Sequence, residues 1–170
     1  MTYVAILLLF VLFAGIAMTV NEGLWSNAIT LLCVMLGGLL AWHWGPVLGG
    51  FVIDQAKPSP ENEWAFWFAS IWGVYFLAVT ALRIIADRSS RVRMRFIRPL
   101  DMAGGILIGL VVAVMFSSFA AYALYIPIKA GVWKVEDGAP WAQQTILNLA
   151  RPMFSAGKAT YGDAFPDLSK

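Results

Sequence analysis

The stretch TYVAILLLFVLFAGIAMTV, Thr2 to Val20, decides the fold, because it holds no charged side chain and is as long as a membrane crossing. A helix rises ~1.5 Å per residue, so about 20 apolar residues cross a hydrocarbon layer of roughly 30 Å. In lipid, every backbone N–H and C=O must be satisfied within the chain, which leaves helices and closed barrels. An unbroken apolar run lacks the two-residue alternation of a barrel strand. A cleaved secretory leader is the rival reading, and it wants a basic start, a shorter core and a small-residue cleavage site. No Lys or Arg precedes Lys57. The run is therefore expected to be retained as a first membrane helix.

Working outward, three further apolar runs cover about residues 28–53, 64–86 and 102–128. The predicted fold class is all-α, an integral membrane bundle of about four transmembrane helices forming one domain over residues 1–128. Composition agrees, with 60% of the 170 residues hydrophobic and 13% charged, against about a quarter charged in soluble domains. Between the first two runs, Asn21 to Asn27 is a polar break in which Ser26 or Asn27 is placed to cap the next helix. Pro46 lacks a backbone donor and predicts a kink in the second helix. Asp54 to Glu63, with Lys57, Pro58 and Pro60, reads as a loop.

Residues 129–170 form a tail of different composition. Asp137-Gly138-Ala139-Pro140 reads as a helix start, since proline is tolerated in a first helical turn. Ala142, Ile146, Leu149, Ala150 and Met153 then share one face opposite Gln144, Asn148 and Arg151. This predicts a short amphipathic C-terminal helix, lying on the membrane or on the bundle.

The arginines set the expected topology. Arg88, Arg91, Arg93, Arg95 and Arg98 crowd the third connection, whereas the second has Lys57 against Asp54, Glu61 and Glu63. Positive charge accumulates on the cytoplasmic side, so the third connection is expected inside, and both termini and the tail outside. Trp64, Trp67, Trp133 and Trp141 then fall near the outer boundary. Val92, Met94, Phe96 and Ile97 interleave with the arginines, which suits a segment in the headgroup layer. Membrane lipid is the partner expected there, with a docked protein second and no nucleic acid.

The chemistry-bearing residues are few. His43, between Trp42 and Trp44, is the single histidine, so two-histidine haem ligation within the chain is excluded. A membrane histidine is a candidate pigment or haem ligand or proton relay. The preferred reading is a packed or interfacial side chain, with no cofactor and no metal. Cys33 alone supports neither a disulfide nor a thiolate metal site, and reads as a small buried hydrophobe. Arg83 is expected to snorkel to the headgroups, and Glu22 and Asp101 to pair with arginines of the connection. Gly105 and Gly109, like Gly45 and Gly49, stand four apart, a spacing that lets helix backbones approach closely. No phosphate loop, nucleophile elbow or acid–base dyad is present, and no enzyme is expected.

Two stretches carry a resemblance. One is Asn21-Glu22-Gly23-Leu24-Trp25-Ser26-Asn27-Ala28; the other runs from Leu100-Asp101-Met102-Ala103-Gly104-Gly105 through Gly109 to Leu110. Over residues 1 to 128 the chain resembles the colicin V production protein (CvpA) family. Its members have a short glycine-containing turn before the second helix and an Asp/Asn-and-glycine entry to the last. The family's arginine is missing from the turn here, so no role passes to it. The resemblance implies a bacterial inner-membrane protein linked to bacteriocin export and envelope integrity, and in some relatives the bundle is followed by an extracytoplasmic protease.

Two functional readings stand at this point. One is a non-enzymatic scaffold or helper in envelope maintenance or secretion. The other is a small accessory subunit of a larger transporter, secretion or pigment–protein assembly. Membrane-protein partners or a second copy of the chain are compatible with either.

Overall fold

The computed structural model describes residues 2–89, 97–124 and 140–162, and among them all regular structure is helical. The helices are α1 (Thr2–Thr19), α2 (Leu24–Ala56), α3 (Glu63–Ser89), α4 (Arg98–Ala123) and α5 (Trp141–Tyr161). The first four are long and apolar enough to cross a membrane. Side chains such as Leu7, Phe10, Phe13, Phe76 and Leu77 point outward, more than half exposed. A soluble domain would bury them; here lipid does.

The packing order in space is α3–α2–α4–α1, with α5 laid across α4 and α1 and touching α2. Consecutive α1 and α2 diverge after their short turn, and α4 enters the fork between them. As a result α2 and α4 run parallel, and α1 and α3 run against them. Lipid tails are as apolar as leucine, so burial alone does not hold such helices together; close contact does.

The α2–α3 pair shows how. Gly37, Ala41, Gly45 and Gly49 make a buried stripe at four-residue spacing. A Cβ on Gly37 would strike Val79, on Gly45 Ile71, and on Gly49 Trp67. Those partners are themselves four or eight residues apart on α3, so one ridge lies in the groove the small residues leave. Next to it Tyr75 stacks on Phe119 of α4, ring centroids 3.9 Å apart at 14°. Trp72 packs edge-on against the same phenylalanine at 5.2 Å.

Several boundaries differ from the sequence expectation. Helix α2 begins at Leu24, not near residue 28, and continues unbroken past Pro46 to Ala56. Helix α4 starts at Arg98, with Pro99 in its first turn, where a missing N–H costs nothing. The expected helix start at Asp137 to Ala139 and Trp133 lie outside the described residues.

The apolar bands of the two halves are not level. On the outer face of α4 the band begins just after Asp101, with Met102 exposed. On the α2–α3 side polar groups extend to Thr30, which Arg83 bonds, about 9 Å further along α2 than Leu24 at ~1.5 Å per residue. At the opposite end α2 stays uncharged to Ile53, well past the level where α5 crosses it at Leu39.

Candidate functional site

The polar residues converge where the α1–α2 turn meets the start of α4. Gly23 is the N-cap residue of α2 and has no side chain with which to cap it. Neither Ser26 nor Asn27 fills that role. The cap comes from another helix: the Leu24 N–H donates to Asp101 Oδ1 at 2.9 Å. A Cβ on Gly23 would sit 3.2 Å from both Asp101 carboxylate oxygens, so the glycine leaves the carboxylate its place. Asp101 also lies in the first turn of α4. Because α2 and α4 are parallel neighbours, one negative charge faces the positive ends of two helix dipoles.

Asn27 ties all three elements together. It is fully buried, and its Nδ2 donates to Thr19 O at 2.9 Å and to Gly105 O at 2.8 Å. Thr19 Oγ1 lies 2.9 Å from Gly15 O in its own helix and 2.9 Å from Gly109 O across the interface. Close approach of α4 is the condition for these bonds. A Cβ on Gly105 would come 2.6 Å from Glu22 O, and one on Gly109 3.0 Å from both Asn27 Nδ2 and Thr19 Oγ1. Both glycines therefore face the α1–α2 fork.

A second polar set adjoins on α3. The Arg83 guanidinium donates to Ser26 O at 3.2 Å, to Ser26 Oγ at 2.9 Å and to Thr30 Oγ1, and pairs with Asp87 at 3.3 Å. Arg83 thus lies along α2. Glu22 accepts from Ser26 Oγ at 2.7 Å, so Ser26 links the turn to the guanidinium. The described partner of Asp101 is a backbone amide, not an arginine.

The other candidates lie elsewhere. Arg88 ends α3 and Arg98 begins α4, both exposed; Arg91, Arg93 and Arg95 lie outside the described residues. His43 is exposed on α2, its ring parallel to Tyr161 of α5 at 5.9 Å and 6°, and edge-on to Trp44 at 5.4 Å. Tyr161 Oη donates to Leu39 O at 3.1 Å, which pins the end of α5 to α2. Cys33 is buried. Among the described residues, no three His, Cys, Asp or Glu side chains gather into a metal-ligand set.

Sequence reasoning read Ser118 as one of a few hydroxyls on α4, too few to define a pore, and missed its bonds to α5. Pro152 inside α5 leaves that helix without one backbone donor. Ser118 Oγ, buried on α4, accepts from Met153 N–H at 2.8 Å and donates to Ala150 O at 3.1 Å. A hydroxyl of α4 thereby bonds the backbone of α5 on both sides of its proline. The proline was the available signal: it announces a gap in the helix's own bonding, though not which side chain bonds beside it.

These features define a helical membrane protein whose polar residues fasten helices to one another. The chain belongs to the family described as Colicin V production protein, whose pattern it matches over residues 4–147. No curated protein and no solved structure matches it.

Proposed function

We propose that this chain is a non-enzymatic helper of the bacterial inner membrane, acting as a scaffold in envelope maintenance or in bacteriocin-type secretion. Supporting this is the convergence of residues 21–28 and 100–110 on one junction, in which Asp101, Asn27, Thr19 and Arg83 bond to backbone or to neighbouring side chains. Side chains spent in this way build a rigid platform. The arginine-rich connection lies in the cytoplasm, where Arg88, Arg91, Arg93, Arg95 and Arg98 meet anionic lipid. Both termini, and the tail from residue 129, are outside. Depleting the chain is expected to raise sensitivity to detergents or to abolish bacteriocin release, and the wild-type chain to restore either. Depletion that leaves both intact overturns the proposal.

Gly73 favours a second reading, as a subunit of a larger membrane assembly. A Cβ on Gly15, Gly37, Gly38, Gly45, Gly49, Gly50, Gly104, Gly105 or Gly109 would come within 4 Å of a neighbouring atom, whereas one on Gly73, on the outer face of α3, meets nothing. Native purification with mass spectrometry separates the readings. A stoichiometric partner lost in Gly73→Leu supports the subunit, and a chain that purifies alone supports the scaffold.

A further inference from the structure

Helix α5 marks a polar level on the α1–α4 half of the bundle, at the end away from Asp101. Its inner face, including Ala142, Ile146, Ala150 and Met153, is buried. Gln144, Asn148, Arg151, Ser155 and Lys158 form its outer face and are exposed. Hydrocarbon does not hold such a stripe, because a charged side chain such as Arg151 or Lys158 is costly within it. The contacts of α5 set its level: Ser118 on α4, Gly38 and Leu39 on α2, and Ala5 and Leu8 on α1. Asp101 marks the opposite boundary, and Ser118 lies about 26 Å along α4 from it at ~1.5 Å per residue. That separation is close to the ~30 Å of a hydrocarbon layer. On the α1–α4 half of the bundle α5 therefore lies at headgroup level, while α2 continues past it.

Arg151 and Lys158 stand two turns apart on one side of α5, and the helix contains no Asp or Glu. The one ion pair among the described residues, Arg83 with Asp87, is at the far end of the bundle. Lys158 Nζ lies 5.8 Å from the centre of the Phe154 ring, which keeps the ammonium beside the helix. A guanidinium presents a planar fork that fits phosphate oxygens in pairs, and an ammonium adds a point charge. We propose that Arg151 and Lys158 together form a binding site for the phosphate groups of anionic phospholipid in the leaflet that α5 borders. The separation of the two polar levels is the same whichever side of the membrane faces the cytoplasm.

Two measurements test it on the full chain. In native mass spectrometry from mixed phosphatidylglycerol and phosphatidylcholine, the parent should retain phosphatidylglycerol preferentially. Arg151→Gln with Lys158→Gln should reduce that retention at least fivefold, and Arg151→Lys much less. Arg88→Gln with Arg98→Gln reports on the arginine-rich connection separately and should leave the α5-dependent lipid in place. Equal retention by the parent and the α5 double variant overturns the proposal. In the second measurement, a nitroxide at Ser155→Cys, in a Cys33→Ala background, should show the oxygen and nickel accessibility of the phosphate level. A label as exposed as one in free solution, or one shielded from both reagents by a protein neighbour, overturns it too.

Discussion

Asp101 of α4 accepts the Leu24 N–H of α2 at 2.9 Å while standing in the first turn of its own helix. One carboxylate thus completes two helix starts, and the bond closes only when α4 sits in the fork between α1 and α2. The cap doubles as a test of assembly, since a helix pair docked out of register leaves the α2 end unmet.

Asp101→Ala should lower stability in detergent by about 1–2 kcal/mol, the range for losing a side-chain cap. Asp101→Asn should lose less, because an amide oxygen still accepts the bond. Gly23 has an extended backbone, φ −70° and ψ 162°, which any residue adopts. Gly23→Asp placed in the Asp101→Ala background should therefore recover part of the loss. Thermal melts of the four proteins decide it, and a double variant no better than Asp101→Ala removes capping as the cause.

Gly105 and Gly73 should respond in opposite directions to the same change. Gly105→Ala brings a methyl against Glu22 O, and overpacking of this kind costs about 1–3 kcal/mol. Gly105→Ile and Gly109→Ile should be worse, while Leu110→Ile is mild. Gly73→Ala meets nothing within 4 Å and should gain up to ~1 kcal/mol from helix propensity. A Gly73→Ala protein that melts below the parent would mean that another chain covers that face.

Ser118→Ala strands the Met153 N–H in a buried site, at a cost of about 1–3 kcal/mol. Hydrogen exchange over residues 150–156 should rise before exchange elsewhere does. Pro152→Ala restores a backbone donor to α5, so the two changes should couple by at least ~0.5 kcal/mol in a double-mutant cycle. Strict additivity would show that the hydroxyl is not serving the proline gap.

His43→Ala removes a ring stacked on Tyr161, but leaves the Tyr161 bond to Leu39 O in place. The protein should fold, lose less than ~1 kcal/mol, and have the same visible spectrum as the parent. An absorption band present in the parent and missing from this variant would restore His43 as a ligand.

How much of this was legible beforehand depends on the range of the interaction. Runs of apolar residues are local, so the four crossings and the amphipathic last helix could be read directly. The glycines announced close approach but not their partners, because 105 and 22 meet only after the chain has turned three times. The cap of α2 was misplaced for the same reason. Ser26 and Asn27 have the right chemistry a few residues away, yet the group that caps is 77 residues on. Asn27 read as a cap and proved to be a buried tie across three helices. Arg83 read as a snorkelling cation, and its hydrogen bonds to Ser26 and Thr30 appear only when α3 is laid beside α2.

The unequal level of the two apolar bands has a mechanical outcome. Neighbouring helix axes stand about 8–10 Å apart, so the row α3–α2–α4–α1 is roughly 24–30 Å wide. A step of about 9 Å across that width is levelled by a lean of about 20°, the average inclination of membrane helices. Standing upright, the molecule would immerse Arg83 in acyl chains; leaning, it lowers the α3 edge until the guanidinium reaches the glycerol layer. The lean also pushes Asp87, Arg88 and Ser89 clear of the bilayer, while Arg98 stays near its surface.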